Sequence, residues 1–363
     1  MIGGKDDFVF IGLSLSSSWG NGHATTYRAL LRGLAAMGRK VLFLEHLVRP
    51  EPRPARPGLL RVCPLFIADG SAKAFCPADR RRPGGDRRIL CAGWDCRHRP
   101  RAETRGGRDR VLRHRHPITL AALDAGDAAY LAARQIPRLD LYLSFTGGPT
   151  LERLARCFGA RRPCALYCAV DAIHWRPIGA AMRWDLGYLG TYSPDRQPAL
   201  QRLLLEPARR LPHKRFVVAG PQYPAEIDWP ANVERLEHVA PSEHTVFYAS
   251  QRFTLNITRT AMIAAGWSPS VRLFEAAACG TPIISDRWDG LADLLPEHVA
   301  ILIAGDTETV VATLSALGDA DRQRVGQRAR TIVLSGHTGS ARARELCQYV
   351  SAVEPRERAT SSG

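Results

Sequence analysis

The 363 residues contain no run of eighteen apolar side chains, so no segment is expected to cross a membrane as a helix. A secretory leader is not expected either. The first twenty residues, MIGGKDDFVFIGLSLSSSWG, carry one Lys, two Asp and a short apolar stretch, which reads as a first β-strand. The expected location is therefore the cytoplasm, with the nine cysteines reduced. Standard zinc spacing is lacking as well. CAGWDCRH offers Cys91, Cys96 and His98, but as C-x4-C-x-H with no second C-x2-C pair to complete it. No metal and no cofactor are expected.

What the chain has in excess is positive charge, formally +15. Such an excess is the electrostatic footprint of a nucleic-acid binder, yet its placement argues against that partner. Residues 49–116 hold 17 Arg and one Lys against seven acidic residues, a net of +11, while the remainder holds 32 basic and 28 acidic groups, a net of +4. The same stretch contains Cys63, Cys76, Cys91 and Cys96 and eight of the prolines. It shows no sustained apolar period of 2 or 3.6.

Three readings of this segment are open: a poorly ordered basic arm that binds RNA or phosphate, a metal site, or a stretch translated out of frame. The third can be tried on paper. With the codons CGT GTT CTA CGA CAT CGA CAC CCC, residues 110–117 (RVLRHRHP) shift by one base to Val-Phe-Tyr-Asp-Ile-Asp-Thr-Pro, an apolar strand and a polar loop. Helical spacing resumes at once in ITLAALDAGDAAYLA.

Outside that segment the pattern alternates. FVFIGLSL is a strand, SSSWGNGHATTYRALLRGLAAMG a glycine turn and helix, and KVLFLEH a strand. A helix near residues 118–133, the strand LDLYLSF, a helix from Leu151 to Cys157 and the strand CALYCAV follow. A second series comprises LGYLGTYS, a helix from Leu200 to Arg210 interrupted by Pro207, RFVVAG, VERLEHV, a helix around Val246, and FTLNIT. It continues with the helix SVRLFEAAACG stopped by Gly280, TPIISD, VAILIA and helices from Thr307 to Val353. Such alternation predicts an α/β fold of two doubly wound domains, residues 1–170 and 171–353, with a disordered tail over 354–363. Ligands are expected outside the carboxyl ends of the strands.

Candidate site residues follow from that geometry. Gly22 and His23 lie where backbone N–H groups open a helix and favour an anion; His23 is the candidate for proton traffic at a reacting hydroxyl. The plainer alternative is that the glycines only permit a tight turn. In TYSPDRQPAL, Thr191 and Ser193 supply hydroxyls and Arg196 a cation, although a lone Arg is most often a solvated surface group. The most specific stretch is SPSVRLFEAAACGTPIISDRWDGL. Ser270 stands at a helix start, where a hydroxyl caps exposed N–H groups. Arg272 and Glu275 are three apart and share a face, either as a modest ion pair or with the carboxylate gripping vicinal ribose hydroxyls while the helix N-terminus faces phosphate.

These stretches, with DLYLSFTGGPTL and FVVAGPQYP, resemble in type and order the family-4-type nucleotide-sugar glycosyltransferases, and among them the CgeB-like spore-maturation group. The resemblance covers residues 8–48 and 117 to about 346 and stops across the basic segment. It implies the GT-B fold, two Rossmann-like domains facing each other across a cleft. It further implies transfer of a sugar from a nucleotide-diphosphate donor to a glycan, lipid or protein hydroxyl, with retention of configuration. Glu275 then matches the ribose carboxylate, Arg196 and Arg272 match positions near the diphosphate, and Gly22 and His23 match a first-domain loop. Where many such enzymes carry a second Glu, eight positions before the ribose one, this chain has Trp267. Three other readings stay open: a non-catalytic sugar- or nucleotide-binding maturation protein, a nucleotide-sugar epimerase, and an inactive product of a frame-shifted gene.

Overall fold

A computed structural model of the chain describes residues 7–12, 22–39, 41–46, 62–68, 71–74, 87–92, 110–114 and 133–353. These residues form two compact units. In the first, β1 (Asp7–Gly12), α1 (Gly22–Ala36) and β2 (Val41–His46) make the expected βαβ start. The sheet continues with β3 (Val62–Ala68), β4 (Ser71–Ala74), β5 (Arg87–Ala92), β6 (Arg110–His114), β7 (Leu141–Ser144) and β8 (Pro163–Ala165), with α2 (Pro149–Phe158) between the last two. Its order is β4-β3-β2-β1-β5-β6-β7-β8. The pairs from β2 to β8 are parallel, and β3 and β4 add on antiparallel at one edge.

Apolar spacing explains the helices. Tyr27, Leu30, Leu31 and Leu34 recur at helical intervals on α1 and are all buried. On α2, Leu154 packs with Ile136, Tyr142 and Ala160. In the strands, Phe8 and Phe10 of β1 lie two apart on one face and are buried. The expected helix near 118–133 lies almost wholly outside the described residues, as does the expected tail over 354–363. The basic segment, in which no element is expected from periodicity, supplies β3, β4, β5 and β6.

The second unit repeats the design with shorter strands. They are β9 (Trp184–Leu189), β10 (Phe216–Ala219), β11 (Val233–Leu236), β12 (Gln251–Asn256), β13 (Ile283–Ser285) and β14 (Leu302–Ile303), in the order β11-β10-β9-β12-β13-β14 and all parallel. A helix α3 runs over 197–210 between β9 and β10. Pro207 does not interrupt it, because the turn Gln201–Leu205 widens to a π-turn just before the ring and gives it room. Then come α4 (His244–Ala249), α5 (Thr260–Ala265), α6 (Val271–Ala278), α7 (Leu291–Leu294), α8 (Thr307–Ala316), α9 (Asp319–Gly336) and α10 (Gly339–Ser351). Gly280 ends the α6 segment with φ 75°, a left-handed value that a side chain resists. Leu186, Tyr188, Phe216, Val218, Phe253 and Leu255 of three neighbouring strands meet Leu203, Leu204 and Leu205 of α3 in one core.

The units divide between Leu166 and Tyr167, four residues before the sequence-based boundary. They also exchange material that the boundary does not foresee: the first part of α1, through Ala29, clusters with the second unit, and α10 clusters with the first. No helix among the described residues is long and apolar enough to span a membrane.

Candidate functional site

Strand order locates the site in the second unit. The chain runs outward from β9 through β10 to β11, then returns to β12 on the other side, so the order reverses between β9 and β12. Loops leaving the carboxyl ends of two such strands diverge and open a crevice for ligands. The residues leaving β9 begin with Gly190, Thr191, Ser193 and Arg196; those leaving β12 begin with Ile257, Thr258 and Arg259.

Arg272, in the first turn of α6, ties the two strands together at that point. Its Nε donates to the Leu189 carbonyl at the end of β9 (2.6 Å), and its Nη1 donates to Asn256 Oδ1 at the end of β12 (3.2 Å). Its guanidinium lies over the Tyr188 ring, 4.9 Å from the centroid. Gly190 leaves the space the guanidinium needs, since a Cβ there would sit 2.9 Å from Nη2. The modest ion pair with Glu275 open from sequence spacing is not how Arg272 is used; its hydrogen bonds go to the strand ends.

Arg196 donates to the Thr191 carbonyl and braces the same loop. Burial pushes its pKa down, Tyr188 opposes that, and the charges of Arg272 and Arg259 push it down further. Arg259 extends the group, donating to Ser193 Oγ at 3.2 Å and lying 3.9 Å from Asp195. Burial acts to raise the Asp195 pKa, but hydrogen bonds from Ser193 and from the Thr260 N–H, with the charges of Arg259 and Arg196, hold it low. Arg259 and Arg196 thus act on Asp195, and Arg272 acts in turn on Arg196, a grouping of three guanidiniums that favours a further anion. The loop after β10 supports this ground: Tyr223 donates to the Gly190 carbonyl at 3.0 Å. Gly220 (φ 141°) faces that same carbonyl, where a Cβ would collide.

Glu275 lies one turn further along α6 and is 4% exposed. Tyr248 donates to its Oε2 at 3.4 Å. Burial raises its pKa to about 7, while the charge of Arg272 and hydrogen bonds from Tyr248 and Thr25 pull it back. Thr25 belongs to the part of α1 that clusters with the second unit. A buried carboxyl with such modest neutralisation is unusual for a purely structural group and marks a candidate ligand contact.

The sequence-predicted residues fare differently. Thr191, Arg196, Ser270 and Arg272 are brought together at the sheet's reversal point, with Glu275 on the same helix as Arg272. Ser270 is the N-cap of α6 but does not cap with its side chain; its hydroxyl donates to Asn256 Oδ1 at 2.9 Å. Gly22 and His23 open α1, and their side-chain environment, like the turn before them, lies outside the described residues. Cys96 and His98 also lie outside them. Among the described residues no three metal-ligating side chains gather. Trp267, with φ 39°, donates through its indole to Asp293 at 2.8 Å. Sequence reasoning missed Asn256, Tyr248 and Arg259. The signal for Asn256 was faint: it is the polar residue that ends β12, a strand of mixed sequence, QRFTLN.

Comparison with known proteins adds to this geometry. Residues 196–348 match the model of a family described as glycosyl transferase-like. No curated protein gives a significant match. Among solved structures, the chain is similar to a sucrose-phosphate synthase from Thermosynechococcus elongatus (TM-score 0.66, 14% identity, covering 95% of this chain and 98% of that one). It is also similar to a trehalose-6-phosphate synthase (TM-score 0.66, 11% identity, covering 97% and 100%). A third, a mutant of S. aureus TarM in complex with fondaparinux, alpha-GlcNAc-glycerol and UDP, is similar at TM-score 0.53 and 8% identity, covering 73% and 55%. The fold is the α/β GT-B fold, with two Rossmann-like units.

Proposed function

We propose that the chain is a glycosyltransferase that moves a sugar from a nucleotide-diphosphate donor to an acceptor hydroxyl, with retention of anomeric configuration. The observation that carries this reading is the arginine group at the reversal point of the second sheet, one helical turn from a buried carboxyl. A diphosphate leaving group gains negative charge as the glycosidic bond breaks, and preorganised cations in a partly buried crevice stabilise that charge. Arg196 and Arg272 are assigned to the diphosphate, Thr191, Ser270 and Gly22 to the surrounding donor contacts, Glu275 to the ribose hydroxyls and His23 to the transferred sugar. The family match over residues 196–348 and the bound UDP of the TarM structure support a nucleotide-sugar donor. Within this class we place the chain in the CgeB-like group, acting in the cytoplasm on a glycan, lipid or protein acceptor, without metal or nucleic acid.

The test is a panel of nucleotide sugars incubated with the full chain, with and without candidate acceptors, followed by detection of released nucleoside diphosphate and of glycosylated acceptor. Release with transfer supports the reading. Binding without release favours a non-catalytic maturation protein, and a changed sugar on an intact nucleotide favours an epimerase.

One observation favours a second reading of this particular polypeptide. Strand β6 lies between β5 and β7 in a parallel sheet, yet its sequence is RVLRH. A chain read out of frame there would be a weakened product of a glycosyltransferase gene. The nucleotide sequence across codons 48–118 decides it.

A further inference from the structure

Asn256 is 1% exposed and closes β12 at the point where the sheet order reverses. A buried amide without partners is costly, and this one has all four of its hydrogen-bonding positions filled. Its Oδ1 accepts from Ser270 Oγ at 2.9 Å and from Arg272 Nη1 at 3.2 Å. Its Nδ2 donates to Ser285 Oγ at 2.9 Å and to Thr258 Oγ1 at 3.2 Å. Arginine can only donate, so the amide oxygen must face Arg272, which fixes the amide's orientation.

The bonds run in one direction. Arg272 donates to Asn256, Asn256 donates to Thr258, and Thr258 donates to Asp286 Oδ1 at 2.7 Å. The Thr258 N–H donates to the other Asp286 oxygen, also at 2.7 Å. A buried carboxylate thus anchors one end of the chain and a guanidinium ends it, an arrangement in which each bond polarises the next. With Nε on the Leu189 carbonyl and Nη1 on Asn256, the guanidinium cannot rotate, and Nη2 is left on the Gly190 side.

We infer that Asn256 is a positioning residue for the donor diphosphate: it relays Asp286 through Thr258 to Arg272 and holds the free edge of that guanidinium toward the loop after β9. This rests on the glycosyltransferase reading. Asn256 touches no phosphate itself; its effect on donor binding is exerted through Arg272. Ser270, on the same acceptor oxygen, fixes the start of α6 in the same act.

A double-mutant cycle on the full chain tests this. Binding of UDP, GDP, ADP and dTDP is measured by calorimetry, and the tightest of them is carried through the cycle. Asn256→Ala is expected to weaken that nucleotide by about tenfold, the order of a hydrogen bond to a charged group. In an Arg272→Ala background the same change is expected to cost less than twofold, because the group it aims is gone. Should Asn256→Ala fail to fold by thermal melting, Asn256→Asp, nearly the same volume, takes its place. It abolishes the donation to Thr258 and pairs the guanidinium with a charge that competes with phosphate, so the loss and its dependence on Arg272 are expected to persist. An equal loss in both backgrounds overturns the inference and leaves Asn256 a structural residue. A wild-type chain that binds none of the four diphosphates overturns the donor reading with it, an outcome distinct from binding with additive losses.

Discussion

The two sheets share a plan and differ in chemistry. In the second unit, the strands beside the reversal point read WDLGYL and QRFTLN, and Leu186, Tyr188, Phe253 and Leu255 are buried in one core. In the first, β5 and β6 read RRILCA and RVLRH, although each has a parallel neighbour on both sides. Inner strands of parallel sheets are ordinarily covered on both faces and read as near-continuous apolar runs. Strand β6 instead has two Arg and one His among its five residues. Its slot is where the one-base shift would place Val-Phe-Tyr-Asp-Ile. Topology survives this mismatch because neighbouring strands and the β/α alternation fix where the strand must go; side-chain chemistry decides how well it stays there.

The largest effect is expected where the second sheet is best packed. Phe253 is 1% exposed in the main core, and Phe253→Ala removes a ring from a site flanked by β9 and β13. A loss of about 3–5 kcal/mol is expected, read as a lowered urea midpoint. A loss under about 1 kcal/mol would erase the contrast between the sheets.

Glu275 carries the next effect, because burial raises its pKa from 4.5 to about 7. Between those values the folded chain binds more protons than the unfolded one, so this group's stabilisation is complete below about pH 4.5 and is lost as pH rises through 7. The swing is on the order of 3 kcal/mol, and Glu275→Gln is expected to flatten it in melts taken from pH 5 to 8. Donor binding should move the other way: the ionised carboxylate accepts ribose hydroxyls better, so affinity rises through pH 7. Glu275→Gln should weaken donor binding by about 1.5–3 kcal/mol. Donor affinity that is flat with pH would remove Glu275 from the site.

How much of this was legible beforehand follows the same divide. The β/α alternation of the second unit and the stop at Gly280 could be read from residue spacing, because strand, turn and helix signals there agree with one another, whereas a common place for Arg196 and Arg272 came only from the family resemblance. Strands β3 to β6 could not, since their residues carry no period and only pairing with β2, β1 and β7 defines them. Asn256 and Tyr248 escaped because their partners, Arg272 and Glu275, are 16 and 27 residues away. The return of α10 to the first unit escaped for a related reason: helical spacing reports a buried face but not what buries it.

The first sheet can be tested directly. Replacing R110V, V111F, L112Y, R113D and H114I together installs the shifted-frame strand. Replacing Arg110 and His114 by apolar groups in an inner strand, with Arg113 exchanged for Asp, is expected to stabilise the chain by on the order of 2 kcal/mol, seen as a raised melting temperature and increased resistance to proteolysis. Unchanged melting would mean that the basic strand suits its slot and that the out-of-frame reading is wrong.

The smallest effect separates the placement of charge from its quantity. Arg156 and Glu152 pair across one turn of α2 at 3.6 Å, with side chains 80% and 70% exposed. Arg156→Ala lowers the net charge by one, as would removal of any arginine from residues 49–116. A pair this exposed is screened by water and salt, so the change is expected to shift stability by no more than about 0.5 kcal/mol. If overall positive charge were what burdens the first unit, Arg156→Ala would stabilise it measurably, and the gain would shrink as salt is added. If placement is the cause, only substitutions within the inner strands matter, and the melting temperature of Arg156→Ala follows that of the parent at every salt concentration.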